Sequence, residues 1–371
     1  MPDLIGHPLL SFRAERSPPV ISSEAQPSCH FERSAAESRN LFIFVNMKMK
    51  KLILTAMILL AVAGLPAAGQ GRKALVRLSA CNVRVAPDYE SGLDTQFLMG
   101  RVVDVLGQDR YWVEVGYEEA GRQLTGWVNE LMLTEVDDAA LDRWLRAPRY
   151  LCTAENSHVY AEPSVKSEYL TEWILGDLAL TVLDSRGKPV REGKFLAVAL
   201  PDGRRGYVPK GTATDFRRWA ETVKPTAEGV LATAERFLGS PYLWGGTTLK
   251  GVDCSGLVQL AFFMNGVLLP RNSSSQARCG IEIPLSEVRP GDLLAFGTPA
   301  TESSPERISH IAISLGGSRI LQSSQLVRIN TLEPGQPDTY EREPLHARRV
   351  LPATPALGVT LVKDSPLYFA R

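Results

Sequence analysis

The chain has 371 residues, 41 basic and 41 acidic, so its formal net charge is zero, and 44% of it is hydrophobic. That length exceeds one small core and calls for two or three domains. Zero net charge excludes bulk electrostatic attraction to nucleic acid or an anionic membrane, and five cysteines are too few for a disulfide-built scaffold.

Residues 1–46 show no hydrophobic period and carry scattered Ser, Pro, Arg and Glu. From Met47 the character changes. Met47-Lys-Met-Lys-Lys51 is basic, Leu52 to Ala63 is apolar apart from Thr55, and Pro66-Ala-Ala-Gly-Gln70 supplies small residues. That order is the order of a secretory signal peptide. An apolar run of about a dozen residues is well short of the ~20 that span a bilayer. Residues 47–70 are therefore expected to be a cleaved leader, and 1–46 an extension ahead of a true start at Met47 or Met49. No cysteine follows the run, so no lipid anchor is expected. The mature chain should be secreted, into the periplasm, with no stable membrane anchor.

Residues 71–136 read as short strands between turns, at Ala74 to Leu78, Val83 to Val85, Val102 to Leu106, Tyr111 to Val115 and Gly126 to Val128. Residues 150–213 repeat the plan. Val83-Arg-Val-Ala-Pro87 matches Val159-Tyr-Ala-Glu-Pro163 at an offset of 76, and Gly100 and Gly176 keep it. Gly126-Trp-Val128 matches Gly206-Tyr-Val208 with a slip of four. Two related small all-β barrels are expected. Between them, in 137–149, Asp137 to Ala147 is acidic first and ends on Arg, as a short helix prefers, and Pro148 stops it.

Residues 214–351 change character. Thr226 to Leu238 and Cys254 to Asn265 are helical in period, and strands follow at Leu293 to Phe296, His310 to Leu315 and Arg319 to Gln322. Helices first and antiparallel strands afterwards make this an α+β domain. Residues 352–371, with three prolines, read as an extended tail.

The chemistry concentrates in this third segment. No C-x-x-C pair, H-E-x-x-H helix or phosphate-binding glycine loop is present, so neither a metal nor a cofactor is expected. Gly251-Val-Asp-Cys-Ser-Gly256 puts Cys254 where a turn enters a helix, and the positive helix end should lower its pKa. An imidazole nearby would complete an activated nucleophile. His310 shares a strand face with Ala312 and Ser314, while Ile311, Ile313 and Leu315 fill the other. Gly316-Gly317 then turns the chain. A three-residue loop centred on Gly316 sets Gln322 opposite His310, where it could fix the ring; a two-residue loop sets Ser323 there instead. Cys81 and Cys152 occupy near-equivalent places in the two modules and are expected as buried thiols, although an oxidising compartment would let them pair. His346 is expected at the domain surface.

Pro241-Tyr-Leu-Trp-Gly-Gly246, Asp253-Cys-Ser-Gly256, Leu269-Pro-Arg271, Gly291-Asp-Leu293 and Ser309-His-Ile-Ala-Ile313 occur together, in order, over about 130 residues. This set resembles the NlpC-type cell-wall cysteine peptidases, which have a papain-like fold. The repeats resemble bacterial SH3-like domains, which either bind wall polymers or shape a neighbouring site. The combination is similar to the YkfC-like γ-D-glutamyl-L-diamino-acid endopeptidases. The resemblance implies Cys254 as nucleophile, His310 as base and Gln322 as the polar orienting residue. It also implies Tyr242, Asp253, Ser255, Asn272 and Ser273 as groove residues. Asp253 could equally cap the helix and Ser273 shape a turn. The implied substrates are peptidoglycan stem peptides or muropeptides, cut between γ-D-Glu and diaminopimelate or Lys by a monomer. Two positions depart from the family. Gln322 stands where His is often found, and Asn272 where Asp commonly follows the Arg. Asn272 can hydrogen-bond a substrate ammonium without matching its charge. The alternatives are a murein amidase or acyl transferase using the same triad, and an inactive exported wall-binding protein.

Overall fold

Strand formation in the first module follows burial that alternates with the pleat. The computed structural model describes residues 71–119, 122–352 and 358–370, so the leader and the extension ahead of it lie outside the described residues. The module's strands are β1 (Lys73–Val76), β2 (Cys81–Arg84), β3 (Leu93–Phe97), β4 (Val102–Asp109), β5 (Trp112–Glu119), β6 (Arg122–Asn129) and β7 (Leu133–Val136). In β2, Cys81 and Val83 are buried while Asn82 and Arg84 are half-exposed. The antiparallel order is β3-β2-β6-β5-β4-β1-β7.

The second module comprises β8 (Arg149–Cys152), β9 (Asn156–Tyr160), β10 (Tyr169–Ile174), β11 (Leu178–Thr181), β12 (Arg191–Glu192), β13 (Phe195–Ala199), β14 (Arg205–Pro209) and β15 (Ala213–Asp215). Its order is β10-β9-β14-β13-β11-β8-β15, with β12 on β13. Both orders have two ends, so the modules are open sheets and not the closed barrels expected from the sequence. The first module's free edge is occupied by the third domain. Gln96 on β3 accepts from the Thr247 N–H through its side chain at 3.1 Å and from the Thr247 hydroxyl through its backbone carbonyl at 3.2 Å.

The internal repeat has a steric cause. A Cβ on Gly126 would lie 2.4 Å from a Val83 methyl, and one on Gly206 would lie 2.6 Å from a Val159 methyl. Only glycine lets these strands cross so closely, in the same place in both copies. Cys81 and Cys152 are free and sit in separate cores. Between the modules runs α1 (Asp138–Arg146), capped by the Asp137 side chain, which accepts from the Ala140 N–H at 2.6 Å. The modules meet at Asp177, fully buried, whose carboxylate accepts from the Met99 and Ile174 N–H groups, each at 2.9 Å, and from the Ser79 hydroxyl.

The third domain contains α2 (Phe216–Thr222), α3 (Ala227–Glu235), β16 (Thr247–Thr248), β17 (Gly251–Val252), α4 (Cys254–Phe263), β18 (Val267–Leu268) and α5 (Ser273–Gln276). It continues through β19 (Ile281–Ile283), β20 (Leu293–Thr298), β21 (Arg307–Gly316), β22 (Arg319–Ser324), β23 (Leu326–Thr331), β24 (His346–Arg349) and β25 (Thr360–Leu361). The main sheet has the order β19-β24-β20-β21-β22-β23. Nine of the ten α4 residues are buried, as expected of a helix apolar on all sides, and α4 packs on β21 and β22. Part of the expected extended tail is a strap. β25 pairs with β18, and Phe369 stacks on Phe216 with ring centroids 5.0 Å apart. His346 lies on β24, half-exposed, with Nε2 2.8 Å from a Glu306 carboxylate oxygen.

Candidate active site

Helix α4 begins at Cys254 because Asp253 stops the preceding strand and caps the helix, accepting from the Gly256 N–H at 2.7 Å. The Pro241–Gly246 loop presses on this first turn. A Cβ on Gly256 would lie 2.2 Å from the Gly246 carbonyl oxygen, so the motif's glycine is required for the close approach. Asp253 also accepts from the Gly245 N–H at 2.9 Å. Arg271 grips the same carboxylate through both terminal nitrogens, at 2.6 and 2.8 Å, and donates to the Ser255 hydroxyl at 2.9 Å. Both ion-pair partners are buried. With Gly256 capped, the Cys254 N–H has no partner among the described residues, and the Ser255 N–H lies against the thiol.

His310 stands on β21 opposite Phe296 and is 6% exposed. Neither hairpin register expected from the sequence is the one formed. Ile313 pairs with Leu321 and Ser314 with Ile320, and the register then slips so that Gly316 pairs with Arg319. The bulge at Leu315 absorbs one residue. Counted on from there, Gln322 faces Ala312 and reaches His310 along the diagonal, within range of a long side chain. Its Oε1 is 2.5 Å from His310 Nε2.

The polarity of that contact can be derived. The Asp338 carbonyl can only accept, so Asn330 Nδ2 donates to it at 2.8 Å. Asn330 Oδ1 is then left to accept from Gln322 Nε2 at 2.9 Å. Gln322 Oε1 therefore faces the ring, Nε2 carries the proton, and Nδ1 keeps a lone pair. The Ile311 backbone N–H, one residue past His310, hydrogen-bonds the Cys254 thiol and so holds β21 against the start of α4.

The expected low thiol pKa is not what this environment produces. Burial, then the Asp253 charge, pushes Cys254 up to about 11, against the Ile311 and Ser255 N–H groups and Arg271. Burial pushes His310 down to about 4; the Gln322 bond opposes this and the Arg342 charge adds to it. At neutral pH the resting pair is a thiol beside a neutral imidazole.

Tyr242 is half-buried, and its hydroxyl is pushed up to about 12 by burial and by the neighbouring Cys254 and Asp253. Gln276 donates to the Ser255 carbonyl at 2.9 Å and the Pro270 carbonyl at 2.7 Å, which ties α5 to the start of α4. Asn272 and Ser273 open α5 at this rim, Asn272 exposed, and neither side chain hydrogen-bonds among the described residues. Asp253 and Ser255 are instead buried in the Arg271 network. Sequence reasoning missed Arg271 as a structural anchor, Asn330 behind Gln322, and Tyr340, whose ring centroid is 5.5 Å from that of His310. Only Arg271 carried a signal, in its Leu-Pro-Arg motif. A cavity of about 600 Å³ between the modules, α4 and the tail contains none of the expected site residues. No cluster of three metal-ligating side chains occurs among the described residues.

Residues 239–346 match the NlpC/P60 family, and residues 83–130 match the bacterial dipeptidyl-peptidase SH3 domain. The γ-D-glutamyl-L-lysine dipeptidyl-peptidase of Bacillus subtilis strain 168 is 37% identical over 264 residues, covering 69% of this chain and 81% of that protein. The protein of the same name from Bacillus cereus is 29% identical over 267 residues, covering 70% of this chain and 76% of that one. The crystal structure of a Bacillus cereus NlpC/P60 family protein aligns over 76% of this chain and all of its own, with a TM-score of 0.63 and 25% identity. The chain thus belongs to the NlpC/P60 family and is a cysteine peptidase carrying a bacterial SH3 domain ahead of its catalytic domain.

Proposed function

We propose that the protein hydrolyses the bond between γ-D-Glu and the diamino acid of peptidoglycan stem peptides, with Cys254 as nucleophile and His310 as base. The observation that carries this reading is the directed chain from the Asp338 carbonyl through Asn330 and Gln322 to His310 Nε2, which leaves Nδ1 as the proton acceptor. As sulfur attacks the γ-carbonyl, the thiol proton moves to Nδ1. The Cys254 or Ser255 N–H, at the helix start, stabilises the oxyanion. The His310 imidazolium then protonates the leaving amine as the C–N bond breaks. A water gives its proton to Nδ1, attacks the thioester and restores the thiol. Gln322 holds the ring throughout without supplying charge.

The relatives' names support the bond, and the exposed, unbonded Asn272 supports a hydrogen bond to the substrate's N-terminal end. The basic, apolar and small-residue segments over 47–70 support action outside the cytoplasm. Mass spectrometry of L-Ala-γ-D-Glu-diaminopimelate digests is the test, run with and without an N-terminal lactyl group and alongside Cys254→Ala. Scission after γ-D-Glu that disappears in the variant is expected. Cleavage of only the blocked peptide would overturn recognition of a free amine, and undiminished cleavage by the variant would overturn the nucleophile.

A further inference from the structure

We propose that the leaving diamino acid is selected by a carboxylate, received by Arg342 with Arg328 beside it, on the His310 flank of the site. The inference rests on the peptidase reading above and concerns which leaving residue the site prefers.

The side is fixed by chemistry. His310 must hand its proton to the departing amine, so the departing residue lies on the His310 flank of Cys254. Asp253, the carboxylate whose charge reaches both Cys254 and His310, is already paired with Arg271. On the His310 flank, Tyr340 packs edge-on to Phe296, with centroids 5.2 Å apart. Arg342 donates to the Ser309 hydroxyl at 3.1 Å and bonds the Tyr340 hydroxyl. Arg328 pairs directly with Gln322 across β22 and β23, so it shares the face of Gln322, and its charge also reaches Tyr340.

Neither arginine has a carboxylate partner among the described residues, whereas Arg271, Arg348 and Arg349 each have one. Arg342 is held only by hydroxyls, and Arg328 Nε is buried without a partner. The uncompensated Arg342 guanidinium therefore acts on the one residue that must become cationic during the reaction, with Arg328 opposite the Gln322 that holds that ring. Alone, the Arg342 charge opposes the imidazolium. A substrate carboxylate on Arg342 cancels that opposition and positions the leaving group at the same time. The carboxylate has two possible sources: the α-carboxylate of a C-terminal diamino acid, or the side-chain carboxylate of diaminopimelate, which lysine lacks.

The test compares L-Ala-γ-D-Glu-X, where X is lysine, lysine amide, diaminopimelate or diaminopimelate α-amide, by kcat/KM. Loss of the bound carboxylate is expected to lower kcat/KM about ten- to a hundred-fold, as for a hydrogen-bonded charge. An α-carboxylate contact separates both free acids from both amides. A side-chain contact separates both diaminopimelate peptides from both lysine peptides. In Arg342→Met the ratio between the separated pairs collapses toward one, whatever the absolute rates, while Arg342→Lys keeps part of it. Arg328→Met reads the same ratio should Arg342→Met not fold. Equal kcat/KM for all the peptides with the wild-type enzyme, or a ratio that survives both arginine-to-methionine changes, overturns the proposal. Cleavage of none by the wild-type enzyme removes the peptidase reading itself, and the proposal with it.

Discussion

Gln322 bonds the His310 ring but brings it no charge, so an imidazolium formed in the proposed mechanism lacks the stabilisation a carboxylate would give. The consequence is readable in pH. In that mechanism His310 must be neutral to accept the thiol proton, and burial lowers its pKa to about 4, so kcat/KM should hold down to about pH 5 and fall with an acid limb near 4. An acid limb near the ordinary imidazole value of 6.5 would contradict this. The sign carries over to stability. Between about 4 and 6.5 the unfolded chain binds the extra proton, so this group's contribution is full above 6.5 and lost as pH falls through 4. Gln322→Ala leaves Nε2–H unpaired and the ring free to turn, and kcat/KM should drop about ten- to a hundred-fold. Steady-state kinetics on a stem-peptide substrate provides the check. Cys254 and His310 were legible because each sits in a local pattern, whereas Gln322 was implied by the resemblance and by a hairpin register that is not the one formed. Asn330 was not, since its role exists only once β23 lies beside β22.

At the scale of elements, helix starts were the easiest features to read. Asp137, Thr226 and Asp253 each cap the helix that follows, and a short acceptor side chain before an apolar run is a local signal. Strand β23 went unread because Ser323-Ser324-Gln325 looks like a loop. Ser323 is fully buried and donates to the Val252 carbonyl at 2.7 Å, and the turn to β23 runs through Gln325 at a φ of 66°. Polar residues that satisfy one another inside a core mimic a surface turn in the sequence. Among the tight element contacts is the first turn of α4 under the Pro241–Gly246 loop. Gly256→Ala forces a methyl against backbone that cannot yield, and should cost about 1–3 kcal/mol by denaturant unfolding. It should also lower kcat, because the helix start carries both the sulfur and the unpartnered Cys254 N–H. A variant as stable and active as wild type would show that the loop gives way.

Across the whole molecule, the joint between the β modules carries its own titration. Burial pushes Asp177 up to about 7, against the N–H groups and hydroxyl that favour its charge. The raised value means the folded state holds the proton longer, so this group's contribution is present below about 3.8 and lost as pH rises through 7. Asp177→Asn removes that dependence. The stability difference, wild type minus variant, should therefore shrink from pH 5 to pH 8, as measured by urea unfolding at each pH. The duplication of the modules was plain in the sequence as an offset. How their edges close was not, because the partner of β3 is Thr247, 151 residues further along the chain.

One bond joins two parts of the coding sequence that look separable. Arg271 Nε donates to the Thr95 hydroxyl at 2.9 Å, so the ion pair that braces Cys254 is completed by β3 of the first module. A peptidase domain separated from that module would lose the Thr95 hydroxyl held against Arg271, the ion-pair partner of the α4 cap. A change at position 95 in the first module thus reaches the first turn of α4 through a single side chain, Arg271.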